Sequence, residues 1–362
     1  MIREQAPGKL FIAGEYAVVE PGEPAVLVAV DRYVTVELEP GRERGSISSD
    51  QYGRQPLLWT RSEDGVVPDQ DHRPFDYVFS AIQVIEQLAA ERAIAPRFYD
   101  IRISSQLDDV SGRKFGLGSS AAVTIATIRA LDRFYGLGLT ALQIFQTALI
   151  ATVRVSPASS GGDLAASAFG GWIAYSAPDR VQLHAAAEAD GVQRLLDRPW
   201  PGLSVRRLPA PAGLRLLVGW TGQPASTERL VGSLQGRIRG GETRYREFLA
   251  DSRSAVQALI AALDEQDAAA TLAAIRSARM ALGDLARHAG IEIETPGLAA
   301  LCAAAADAGA AGKSSGAGGG DCGIVLAPAG ADVHGMLTEW EQHDIRHLAI
   351  EVHTAQGAID EQ

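Results

Sequence analysis

Lysine is scarce in this chain: of 33 basic residues only Lys9, Lys114 and Lys313 are lysines, and arginine supplies the rest. Lysine is a compact charge with rotatable donors and arginine a rigid planar fork, so the two are not interchangeable at a phosphate. Each lysine falls in a glycine-containing stretch, which makes all three candidates for contact with an anion. Cysteine is scarce too. Cys302 and Cys322 are too few for a disulfide framework and suit a reducing compartment. No apolar run reaches the roughly 18 residues of a membrane span, and Met1 to Gln5 carry no signal-like segment. The expectation is a cytoplasmic protein with no membrane partner. Positive charge is in deficit, the net value being −11, which argues against a nucleic-acid partner. An anionic small-molecule substrate must then be met by local positive charge. The Walker pattern Gly-x4-Gly-Lys-Ser/Thr occurs nowhere.

What is present is organised around Lys114-Phe115-Gly116-Leu117-Gly118-Ser119-Ser120-Ala121-Ala122, followed by the apolar run from Val123 to Leu131. The glycines open backbone angles closed to other residues, the serines suit N-caps, and the alanines favour helix. A loop feeding a helix N-terminus presents unpaired N–H groups and partial positive charge, a natural seat for phosphate, with a serine hydroxyl free to reach Mg²⁺. The stretch Gly116-x-Gly118-x-x-Ala121 formally matches a dinucleotide fingerprint. The Gly136-Leu137-Gly138-Leu139 turn and second helix after it exclude the required βαβ unit. The motif therefore reads as a nucleotide-phosphate cradle.

With 362 residues, 46% of them hydrophobic, the chain can fill two cores. The proline-rich stretch from Arg198 to Pro211 suggests a boundary, giving domains 1–205 and 206–362. In the first, Pro7 to Ala13 reads as strand with a turn at Gly14-Glu15, residues 25–39 as strand, and 40–75 as a loop or hairpin. Val78, Ile82, Ile85 and Leu88 predict a helix over 76–92. Thr140-Ala141-Leu142-Gln143 is a capping box opening a helix to about Val153. Ser159-Ser160-Gly161-Gly162-Asp163 is a second glycine loop into a short helix, then strand 172–175. In the second domain the pattern predicts strand 214–220, a helix capped near Ser226-Thr227, helices 242–263, 267–289 and 296–308, and a glycine loop over 312–323. Strand 323–327, helix 331–343 and strand 346–353 complete an α+β layer.

Pro7-Gly8-Lys9 through Val19, Gly-Leu-Gly-Ser-Ser-Ala-Ala, and Gly316-Ala317-Gly318-Gly319-Gly320-Asp321, in that order and spacing, resemble the three motifs of the GHMP small-molecule kinases. Within that family Lys114-Phe115, Gly162-Asp163-Leu164-Ala165, Gly219-Trp220-Thr221 and Lys313-Ser314-Ser315 are most similar to bacterial members that act on 5-phosphomevalonate. The resemblance implies a two-domain α+β GHMP kinase fold, a ribosomal-protein-S5-like domain followed by a ferredoxin-like one, with the active site between them. It implies MgATP and conversion of 5-phosphomevalonate to 5-diphosphomevalonate in isoprenoid synthesis. It places Lys9 and Asp163 at the transfer site, and Lys114, Gly116, Leu117, Gly118, Ser119, Ser120 and Ala121 on ATP, with Ser119 or Ser120 on Mg²⁺. Lys9, Tyr16, Ser160, Ser226, Lys313, Gly318, Gly319 and Gly320 would line the substrate. Pro157-Ala158-Ser159 departs from the pattern in having no lysine or asparagine. The competing functions are a mevalonate kinase or diphosphomevalonate decarboxylase of the same fold, or a non-catalytic ligand sensor.

Overall fold

The computed structural model describes residues 1–51, 55–62, 65–69, 75–109, 112–223 and 242–355. Its spine is an antiparallel pair, β1 (Ile2–Ala13) and β2 (Pro24–Pro40). Burial in β1 alternates at first and is continuous from Ala6 onward, so its second half lies inside the molecule. The run Ala25–Val30 is likewise buried throughout, as an apolar stretch without polar alternation requires.

The stretch expected to be a loop or hairpin, 40–75, carries three strands, β3 (Gly45–Ser49), β4 (Leu57–Ser62) and β5 (Gly65–Pro68), with β3–β4 and β4–β5 antiparallel as in hairpins. These strands are too short to stand out between arginines and prolines, yet Ile47, Leu57, Trp59 and Val66 are all buried. Gly45 is needed here, because a Cβ would lie 2.0 Å from the Trp59 ring. With β6 (Tyr99–Ser105), β7 (Trp172–Ser176) and β8 (Ser204–Leu208) the order is β5-β4-β3-β6-β2-β7-β8, and β1 pairs with β2 off this path. The β3–β6 pair is parallel, the others antiparallel.

Helices α1 (Asp76–Glu91), α2 (Ser119–Tyr135), α3 (Ala141–Val155) and α4 (Gly162–Phe169) follow the expected pattern. The α3 capping box forms, Gln143 N donating to Thr140 Oγ1 at 3.2 Å and Thr140 N to Gln143 Oε1 at 3.1 Å. Both α2 and α4 pack on β1 and β2, and α1 and α3 pack against α2. Helices α5 (Arg180–Asp190) and α6 (Val192–Leu196) were not anticipated.

The second sheet, in the order β10-β11-β9-β12, joins β9 (Leu214–Trp220), β10 (Ala311–Ser314), β11 (Cys322–Pro328) and β12 (Arg346–Leu348), all antiparallel. Helices α7 (Glu242–Asp264) and α8 (Ala268–Ala289) form a hairpin, and α7 joins the core of the first sheet through Val256, Leu259 and Leu263. Leu301 of α9 (Pro296–Asp307) and Trp340 of α10 (Val333–Gln342) fill a smaller core with Leu217 and Val325. Two expected boundaries change. Residues 311–314 and 322 belong to strands, so the glycine loop proper is 315–321. Strand 346–353 stops at Leu348, because the chain crosses to the first sheet, where Glu351 N donates to Asp31 Oδ1 (2.9 Å) and His353 N to Ala29 O (2.9 Å). Among the described residues no helix is long and apolar enough to cross a membrane.

Candidate active site

The register of β1 shifts between Pro7 and Gly8, and the strand then meets the loop before α2. Lys9 N donates to Leu117 O at 2.9 Å. Gly8 permits this approach, since a Cβ there would stand 2.9 Å from Leu117 O. The Lys9 side chain is buried, with Nζ 3.4 Å from Gly116 O, 3.4 Å from Asp163 Oδ2 and 5.4 Å from the Phe11 ring centroid. Asp163 stands in the first turn of α4, after the left-handed Gly161. In sequence an acid there reads as a partner for the helix dipole. The structure joins it to Lys9.

Gly118 (φ 80°, ψ 44°) is the N-cap of α2, so Ser119 and Ser120 are its first two helical residues rather than its caps. The first intrahelical bond runs from Ala122 N to Gly118 O, leaving the N–H groups of Ser119, Ser120 and Ala121 without an intrahelical partner. Ala121 contributes through its backbone, its side chain being buried in the core. Gly116 (φ 82°) is glycine because the Asp321 carboxylate occupies the place of a Cβ, 2.6 Å away. Phe115 packs edge-on against Trp220 with centroids 5.1 Å apart, and Cys322 Sγ donates to Phe115 O at 3.0 Å, which ties the loop to the second sheet.

Lys9, Asp163 and the stretch Gly116 to Ser120 line a cleft of about 730 Å³ with Lys114, Ser160, Glu15, Tyr16, Gly316, Ala317 and Asp321. Ser160 O accepts from Tyr175 Oη at 2.7 Å. Tyr16 Oη donates to Ala317 O at 2.5 Å, and burial, then the Glu15 charge, pushes its pKa up. Four expected substrate residues lie elsewhere. Lys313 is fully buried, paired with Glu15 Oε1 and donating to Ser314 O at 2.6 Å. Gly318 and Gly319 pack on Ile293, whose carbonyl accepts from Gly319 N at 2.7 Å, and a Cβ on Gly320 would meet Gln223 O at 2.3 Å. These glycines shape the loop from behind while Gly316, Ala317 and Asp321 face the cleft. Ser226 lies outside the described residues. Sequence reading missed Glu15 and Asp321 as lining groups. The signal for Asp321 was an acid at the end of a glycine run, which takes a left-handed φ of 49°.

Open N–H groups, two serine hydroxyls and a buried ammonium suit a nucleoside triphosphate with its divalent cation. The family model described as GHMP kinases N terminal domain matches residues 76–171, and that described as GHMP kinases C terminal matches 259–343. The chain is 47% identical to a phosphomevalonate kinase of Streptomyces sp. (strain CL190) over 363 aligned residues, covering 96% of each chain. It is 30% identical to a mevalonate kinase of Thermococcus sibiricus, covering 89% of this chain and 88% of that one. Among solved structures, Streptococcus pneumoniae phosphomevalonate kinase in complex with phosphomevalonate and AMPPNP superposes with a TM-score of 0.86 at 28% identity, covering 97% of this chain and 100% of that one. A protein from Listeria innocua superposes with a TM-score of 0.92 at 34% identity, covering 98% of each.

Proposed function

The chain belongs to the GHMP kinases, and on that premise we propose that it transfers the γ-phosphoryl group of ATP to 5-phosphomevalonate, giving 5-diphosphomevalonate for isoprenoid synthesis. The observation that carries this reading is the full-length 47% identity to a phosphomevalonate kinase, joined to a buried Lys9 aimed across the mouth of an open helix N-terminus. The loop Gly116 to Ala121 holds the nucleotide phosphates and Lys114 adds positive charge at their edge. Ser119 or Ser120 holds Mg²⁺, which supplies charge neutralisation and orientation of the phosphates.

The acceptor is a phosphomonoester whose second pKa near 6 leaves it largely ionised at neutral pH, so no strong general base is required. Transfer then asks for in-line positioning and cancellation of charge on the moving group. Lys9 does the second, and Asp163 orients Lys9. Tyr16 and Ser160 line the acceptor's side, and Ser226 is proposed there with them. The expected division at 205/206 falls inside β8, which pairs with β7 as far as Leu208, so we place the division after that strand, between Leu208 and Leu214. A cytoplasmic location accords with two free, buried cysteines.

The test is ADP release from MgATP with 5-phosphomevalonate, mevalonate and diphosphomevalonate in parallel. The reading requires turnover with the first to far exceed the other two. Equal or greater turnover of mevalonate would sink it, and no turnover with any acceptor would favour a ligand sensor.

A further inference from the structure

The segment leaving β10 crosses to the first strand, and alternate residues of it are fixed there. Lys313 Nζ pairs with Glu15 Oε1. Ser315 Oγ accepts from Phe11 N at 2.9 Å and donates to Phe11 O at 3.0 Å, and Ala317 O accepts from Tyr16 Oη at 2.5 Å. The first two contacts are made by side chains two residues apart as the chain leaves β10, and the third by a main-chain oxygen just after the left-handed Gly316 (φ 79°).

Opposite them stands a strained turn. Tyr16 has φ 63° and ψ −48°, and Ala17 N donates to Glu15 O at 2.7 Å. This is the γ-turn of rare hand, which a residue with a Cβ adopts only where its surroundings over-determine it. Its effect is to send two consecutive side chains, Glu15 and Tyr16, to the same crossing segment. An extended backbone would send them to opposite faces. Both ends of the Glu15–Lys313 pair are buried. The fixed segment borders the reacting groups: a Cβ on Gly316 would lie 4.0 Å from Lys9 Nζ, and Gly316 and Ala317 line the cleft.

We propose that Glu15, Tyr16 and Lys313 are positioning residues, which pin residues 313–317 to the end of β1 and so hold Lys9 and the Gly316–Ala317 wall in the arrangement that reacts. Lys313 acts through Glu15, with no contact to either phosphate. The kinetic arm of the test rests on the phosphoryl-transfer reading above, and the exchange arm needs no substrate.

The experiment compares wild type with Glu15→Gln, Lys313→Met, the double variant and Tyr16→Phe, by steady-state kinetics and by amide hydrogen exchange over 311–321. Each single charge variant lowers kcat by about tenfold or more with either KM changed less than about threefold, and the double variant is no worse than the worse single one, as for groups acting as a unit. Exchange at 313–317 rises in all of them. Tyr16→Phe, which removes one oxygen, lowers kcat by about threefold with the same exchange signature. Losses that multiply in the double variant overturn the proposal. So does Lys313→Met raising KM for the phosphorylated acceptor by about a hundredfold with kcat and exchange unchanged, which would make Lys313 a substrate ligand. If the charge variants do not fold, Tyr16→Phe decides, and unchanged kcat and exchange there overturn the proposal. An inactive wild type would count against the acceptor assignment and leave the exchange result standing.

Discussion

Lys9 Nζ lies 3.4 Å from Asp163 Oδ2, the lysine side chain 7% exposed and the aspartate 36%. The cation is therefore the enclosed, pre-aimed member of the pair and the carboxylate the wetter one. A preorganised charge in a site shielded from water acts on the transition state without waiting for solvent to reorient.

If Lys9 neutralises charge on the moving phosphoryl group, Lys9→Met lowers kcat by about 10²–10³ with a modest change in either KM. Asp163→Asn keeps a hydrogen-bond acceptor near Nζ and costs less. Steady-state kinetics on both variants, with folding checked by circular dichroism, reads the order. A kcat for Asp163→Asn well below that of Lys9→Met would restore general-base catalysis.

Gly118 carries two constraints. Its φ is 80°, and a Cβ would stand 2.9 Å from Lys9 Cε and 3.3 Å from Asp163 Oδ2. Gly118→Val therefore displaces the Lys9–Asp163 pair as well as crowding the open N-terminus of α2, and, if phosphate binds there as proposed, both nucleotide affinity and kcat fall. Calorimetric titration with a non-hydrolysable ATP analogue checks the first. Unchanged affinity would mean that the loop only begins a helix.

Both thiols are shielded. Burial pushes the Cys302 thiol up to about 12 and raises that of Cys322 further, the charge of Asp321 adding to the latter. Because the thiolate is the reactive form, the folded enzyme at pH 8 resists a thiol-specific disulfide reagent, and labelling tracks denaturant-induced unfolding. Rapid modification of the native protein would contradict the packing of Cys322 against the backbone of Phe115.

Lys9, the cradle and the second glycine loop were legible because each rests on local chemistry: glycines where backbone must approach, serines at a helix start, a rare lysine near both. Cap assignment failed locally, since the left-handed Gly118 takes the N-cap position and moves both serines one place into the helix. The strands within 45–68 were hidden by brevity, their evidence being burial of Trp59 against residues distant in sequence. Lys313 was misplaced for a different reason. A lysine in a glycine-rich motif signals an anion, and its anion is Glu15, 298 residues away in the chain. Gly318 to Gly320 showed that the backbone needs freedom there, without showing that Ile293 and Gln223 impose it.

The central claim is that the cleft adds a phosphoryl group to a phosphate. Phosphorus NMR of the product formed from MgATP and 5-phosphomevalonate tests it most directly. The account predicts the pair of coupled doublets of a new diphosphate ester, appearing in step with ADP. Loss of no phosphomonoester signal, together with a second uncoupled monoester resonance, would place the transfer on a hydroxyl and contradict it.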